Sequence, residues 1–269
     1  MSIGKYISIF RISFAQEFAY RLNFIMWRVR NVMQFFLLFF LWNTVYQDPS
    51  RVVFGYDKAK ILTYVFGILV VRAIVFSARA VDVAGEISRG EITNLLLKPV
   101  NFFKFWLTRD ISSKGLNLIF AAVEFSILFL ILKPPFFLQT DPMTLIAFIV
   151  SLGLAMLTFF VLLMITSFVP FWFPEAAWGA QFLVVVVVAE FLSGGLFPLD
   201  ILPAGIQKFL YFTPFPYLIF FPIQVYLGKI SGQMLLGGIF IALFWFFVLL
   251  LAMRYIWHKG LLVYRAEGR

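Results

Sequence analysis

The chain contains no cysteine and a single histidine, His258. The first absence removes disulfides, thiol nucleophiles and thiolate metal sites. The second leaves no histidine-based acid–base or zinc constellation. His258 lies in a basic tail beside an apolar run and reads as an interfacial side chain. Charge is scarce too: 13% of residues carry it, about half of what a soluble domain carries. Acids are the scarcer sign, 13 against 22 bases. No His-Glu-x-x-His helix, Gly-x-Ser-x-Gly elbow or Gly-x-x-x-x-Gly-Lys-Ser/Thr phosphate loop occurs, so no catalytic residue and no metal ligand is assigned. The chain does not bind ATP by that loop. Polar segments are too short for a soluble domain, so residues 1–269 read as a single transmembrane domain, and any ATPase belongs to another chain.

What is present is apolar: 62% of residues are hydrophobic and 20% aromatic. They come in continuous runs of about 20 residues, the length that crosses a bilayer as a helix. Continuous rather than alternating apolarity excludes a closed β-barrel. The reading is an all-α polytopic membrane protein with six spans, near 31–46, 61–80, 112–132, 143–168, 176–192 and 234–253. Residues 1–30 form an interfacial amphipathic helix, with Ile7, Phe10, Ile12, Phe14, Phe18 and Leu22 set among Lys5, Arg11, Glu17, Arg21 and Arg28. These charges argue against a cleavable signal peptide. In the fourth span, Ala147, Ser151 and Ala155 repeat every four residues, spacing that permits close helix approach or arises by chance.

Two stretches interrupt the oily pattern. Residues 82–101 hold Asp82, Glu86, Arg89, Glu91 and Lys98, with Ile92, Leu95 and Leu96 at helical spacing and Pro99 ending the turn. This is either a short amphipathic helix presenting a polar face to a soluble partner or a loop lying on lipid headgroups. Residues 193–230 are apolar but broken by Gly194, Gly195, Pro198, Pro203, Pro214, Pro216 and Pro222. Neither half makes a clean span, which predicts a re-entrant or interfacial hairpin whose irregular backbone is covered by protein or water.

Two charges fall inside predicted spans, Arg72 in the second and Glu124 in the third. At about 1.5 Å per residue their depths differ by about one helical turn. Isolated charges are costly in lipid, so the two are expected to pair. Glu190 falls near the end of the fifth span and reads as a solvated, interfacial carboxylate. Six spans put both termini on one side, and fifteen of the 22 bases then share that side, against six opposite and Arg72 in the bilayer. This bias places both termini and residues 82–101 in the cytoplasm and the hairpin outside. The net charge of +9 thus suits anionic lipid headgroups rather than nucleic acid.

Two local motifs carry a family resemblance. Residues 86–99, Glu-Ile-Ser-Arg-Gly-Glu-Ile-Thr-Asn-Leu-Leu-Leu-Lys-Pro, resemble the coupling helix of type-2 ATP-binding-cassette (ABC) exporter permeases, with its Leu-Leu-Lys/Arg-Pro ending. Residues 192–203, containing Gly194, Gly195, Pro198, Asp200 and Pro203, are similar to the stretch after that family's fifth span. The resemblance spans nearly the whole chain. It implies a permease subunit in the cell membrane, paired with a second permease chain, identical or homologous, around a path lined by spans 1, 2 and 5. It further implies two separate ATPase chains, carrying ATP and magnesium, docked on Glu86, Ile87, Arg89, Glu91, Ile92, Leu95, Leu96 and Lys98. Ile92, Leu95 and Leu96 would be the apolar anchors. No cofactor is expected in this chain, and no substrate-binding residue is assigned. The competing readings are a stand-alone carrier or channel using Arg72 and Glu124, for which no internal repeat is seen, and a lipid-modifying enzyme, for which no constellation is seen.

Overall fold

A computed structural model describes residues 3–19, 21–48, 52–182 and 190–264. The described residues are helical apart from turns and one isolated bridge, Val53 with Tyr56. The helices are α1 Ile3–Ala19, α2 Arg21–Val45, α3 Lys58–Val75, α4 Asp82–Ser88, α5 Ile92–Leu96, α6 Phe102–Leu132, α7 Pro142–Ser167, α8 Ala177–Phe182, α9 Ala204–Tyr211, α10 Phe220–Tyr226 and α11 Gly232–Val263.

The sequence punctuates these helices clearly. Asp57, Asn101 and Asp141 each accept the backbone N–H of the residue three on, capping α3, α6 and α7. Pro142 stands in the first turn of α7, where its missing N–H costs nothing. Lys133 ends α6 in the left-handed conformation, φ 42°, and Pro134 and Pro135 follow it, preventing continuation.

α3 and α7 form the buried centre. α3 packs on α2, α6, α7 and α10, and α7 also packs on α11. Phe66 of α3 is fully buried and meets Phe35 of α2 at 4.8 Å and Phe125 of α6 at 5.0 Å between ring centroids. Ser151 and Ala155 are buried on α7, and Ala147 packs in the cluster that includes Phe221 of α10 and Ala242 of α11. The small residues thus mark a packed side. Most of α6 and α11 presents apolar side chains outward, including Leu130, Ile131, Met234 and Phe240.

Among the described residues, three helical segments are long and apolar enough to cross a membrane: Phe102–Leu132, Pro142–Phe171 and Gly232–Val263. A fourth appears if α3 and Arg79–Ser88, bent by 48°, are counted together. The predicted first span lies within α2, which falls short because Arg28, Arg30, Asn31 and Gln34 interrupt its apolar run. Of the predicted fifth span, residues 183–189 lie outside the described residues. The third span begins ten residues earlier than predicted, and the sixth continues to Val263.

The 193–230 stretch is a set of short helices and turns folded onto α3 and α7 rather than one hairpin of two long arms. The Phe220 N–H donates to Ser193 O at 2.9 Å, and the Tyr64 hydroxyl donates to Gly194 O at 2.8 Å. The broken backbone is therefore paired against the bundle. Gly194 adopts φ +83°, and a Cβ there would lie 2.8 Å from both Phe220 Cβ and the Tyr64 hydroxyl, so only glycine fits.

Candidate functional site

The charged stretch after α3 is held at one end of the bundle by groups from α6 and α11. α3 stops at Val75, and the chain turns through Ser77–Arg79. Lys114 of α6 donates from Nζ to Val75 O at 3.1 Å and to Ser77 O. Asp110, one turn away on α6, accepts the Arg79 N–H at 2.9 Å and pairs with Lys114 at 3.2 Å. Both side chains are buried. Lys114 caps the carbonyl end of α3, whose last C=O groups lack helical partners, and Asp110 holds the far side of the turn through the Arg79 N–H, so together they fix the bend. Hydropathy alone missed this clamp; the signal for it is an Asp–Lys pair at i and i+4 on an otherwise apolar helix.

The predicted single amphipathic helix is in fact two. Gly90 takes φ +73°, the Glu91 N–H donates to Glu86 O and the Gly90 N–H donates to Ile87 O. That is the Schellman ending of α4, with glycine at the left-handed position. α5 restarts at Ile92. Ile87, Ile92 and Leu95 turn inward and are buried, whereas Leu96 is 42% and Leu97 81% exposed. Ile92 and Leu95 are therefore core residues of this chain rather than anchors for a partner. The reason is angular: at about 100° per residue, a Leu95 directed at the core sends Leu97 to the opposite side. Leu97 is the residue the spacing argument missed. Arg89 and Glu91 pair at 2.9 Å on the exposed surface, and Lys98 is exposed. Glu86 lies 3.9 Å from Arg109. Burial, reinforced by Asp82 and Glu91 and opposed by Arg109, raises its pKa.

α11 reaches the same place from below. Trp257 stacks on Phe102 at 4.1 Å and packs on Phe168 at 5.1 Å. This fixes the end of α11, and its capping residue Tyr264 donates its hydroxyl to Gly90 O at 2.8 Å, 3.1 Å from Thr93 Oγ1. α1 approaches from the side, where buried Glu17 pairs with Arg79 and the Ser112 hydroxyl donates to Phe10 O. His258 is exposed on α11.

Arg72 and Glu124 do not pair. Arg72 sits in the last turn of α3, not mid-span, and pairs with Glu190. Glu124 pairs with Arg28 of α2, whose Nε donates at 2.7 Å. Lys114 stands level with the end of α3. Glu124 therefore lies about 15 Å along α6 from that level and Arg72 only about 4.5 Å along α3, a gap larger than one turn. Both side chains still line one cavity of about 20 Å³ with Arg28, Asn31 and Gln34. Glu190 is buried rather than solvated. It also accepts Arg30 Nη2 at 2.8 Å and Gln34 Nε2 at 3.0 Å. A cleft of about 820 Å³ opens beside this cluster, between α1, α2, the end of α3, α4, α6 and α8.

At the opposite end, the 193–230 residues form a second polar knot. Asp200 accepts the Tyr56 hydroxyl at 2.9 Å and Lys229 Nζ at 2.8 Å. Pro198 and Pro203 flank the turn that carries it. Gly194 and Gly195 are buried behind it. Burial, with Asp200 and then Tyr64 alongside, raises the Tyr56 pKa and keeps its hydroxyl a donor.

A family model described as ABC-2 family transporter protein matches residues 32–268. The chain belongs to the ABC-2 transporter family. No curated protein matches it. An ABC-2 chain is a membrane component of an ABC transporter and works with ABC ATPase subunits, so this is a multi-pass transmembrane subunit.

Proposed function

We propose that the chain is the permease of an ABC exporter in the cell membrane, with six spans and both termini cytoplasmic. Two separate ATPase chains, holding ATP and magnesium, dock at its charged end. A second permease chain, the same or homologous, completes the path. Its contact is the exposed stripe of α2 formed by Met26, Met33, Leu37 and Phe40.

The observation that carries this reading is the exposed Leu96–Leu97 knob, flanked by Arg89, Glu91 and Lys98. Apolar anchors with a polar rim suit a partner groove better than water. The backbone beneath is fastened to α3, α6 and α11, so a push on Leu97 moves the bundle rather than a loose loop. ATP-driven closure of the ATPases then shifts a two-state equilibrium of the spans. The rival reading, a stand-alone carrier or channel with Arg72 and Glu124 as its intramembrane site, is less well supported, because each residue is already paired elsewhere.

The test is co-purification with the ATPase encoded beside the chain. Leu97→Asp is expected to abolish the complex and leave the thermal transition of the isolated permease unchanged. Full complex formation by Leu97→Asp, or a neighbouring ATPase without a phosphate-binding loop, refutes the assignment.

A further inference from the structure

The cleft beside Glu190 has a charge arrangement that docking of an ATPase leaves unexplained. Glu190, with 8% of its side chain exposed, is shared by two arginines. Arg72 is its close, largely covered partner. Arg30 gives it one contact and remains 41% exposed, its guanidinium lying 4.9 Å over the Trp27 ring. Around the cleft, five guanidiniums face four carboxylates among the described residues, and one of the five, Arg89, pairs with Glu91 beside it, so the arginine that shares its carboxylate is Arg30. Arg109 is held loosely, 3.9 Å from both Asp82 and Glu86. A guanidinium has five N–H donors in a fork that fits a carboxylate or phosphate. A second cation that shares an already paired carboxylate keeps N–H donors free for a second anion. The same cleft has apolar walls, from Trp27, Phe76, Leu163 and Trp178. At about 820 Å³, it falls in the usual range for small-molecule sites, about 300–1,000 Å³.

We propose that this cleft binds an amphipathic anion, with Arg30 taking the carboxylate or phosphate head and the Trp27–Trp178 wall taking the apolar body. The inference rests on the transporter reading and names a substrate class for it. Arg30 then recognises the ligand, while Glu190 holds Arg72 and Arg30 in place and limits their pull on the anion. The two residues therefore make opposite predictions. Removing Arg30 weakens anion binding, and neutralising Glu190 strengthens it.

The experiment uses the full-length chain in nanodiscs of uncharged lipid, without any ATPase. Energy transfer from tryptophan to a dansyl-labelled undecanoic acid reports occupancy, with the uncharged methyl ester as the control. The acid is expected to bind saturably and at least about tenfold more tightly than the ester, a difference of about 1.4 kcal/mol. Arg30→Gln is expected to remove that preference, and Arg30→Lys to restore part of it. Because Arg30 is partly exposed, both variants should fold, and matching thermal transitions check that they do. Glu190→Gln, where it folds, is expected to tighten the acid severalfold. Equal binding of acid and ester, an unchanged affinity in Arg30→Gln, or weakened binding in folded Glu190→Gln overturns the proposal. So does displacement of the acid by inorganic phosphate at the same concentration as by unlabelled fatty acid, which marks a small-anion site. Since no ATPase is present, failure here leaves docking at Leu97 standing, and failure of docking leaves this result readable.

Discussion

Glu190 and Arg72 show how partner choice is set one residue at a time. Glu190 is buried, and Arg72, with only 10% of its side chain exposed, is its close partner. Glu190→Ala leaves Arg72 without its carboxylate and is expected to destabilise by about 3–5 kcal/mol, whereas Arg72→Ala leaves Glu190 with Arg30 and Gln34 and should cost less. The double variant should lose much less than the sum. Arg72→Ala with Glu124→Ala should be closer to additive, because the two residues do not touch. Thermal unfolding in detergent measures both cycles. Glu86 supplies a pH test. Burial raises its folded pKa above the ordinary 4.5, so the folded chain holds a proton that the unfolded chain releases. Its contribution is complete below pH 4.5 and is lost as pH rises through the raised value. Glu86→Gln should flatten that part of the stability–pH curve; an unchanged curve contradicts the burial argument.

At the scale of elements, the turn at Gly90 is the piece on which the exposed surface depends. It separates α4 from α5, and its carbonyl receives Tyr264. Gly90→Ala places a Cβ at φ +73° and is expected to cost at least about 1 kcal/mol. Tyr264→Phe should leave the fold intact but loosen α5, seen as faster amide exchange over 90–97 than over α7. Equal exchange in the variant and the parent chain contradicts the clamp. Several elements were legible beforehand. α7 runs Pro142–Ser167 against the 143–168 expected, and α6 stops at Leu132, where the third span was expected to end. The start of α6 was not legible, because Asp110 and Lys114 look like solvated charge in a hydropathy reading. In the structure they are buried, Lys114 donating to the Val75 and Ser77 carbonyls and Asp110 accepting the Arg79 N–H. Nor could periodicity choose Leu97 over Leu95 in a five-residue helix, since one turn has no repeat to read.

The whole molecule has two polar ends joined by apolar helices. One is the Asp200–Tyr56–Lys229 knot. The other holds α4, α5, the Asp110–Lys114 clamp and the end of α11. α3 and α7 run between them through the core. The general architecture was readable from composition and the two motifs. The pairing of Arg72 with Glu190 was not, because it depends on where α3 ends relative to α6, which only the packed bundle fixes. The central claim is that the Leu96–Leu97 knob is the docking surface for the ATPase. The absence of cysteine makes a direct test possible. A single Leu97→Cys carrying a benzophenone is illuminated in membranes containing the ATPase, with Leu130→Cys, exposed on the apolar face of α6, as the comparison. The account predicts a permease–ATPase cross-link from position 97 and none from position 130. An equal yield from both positions, or none from position 97, contradicts it.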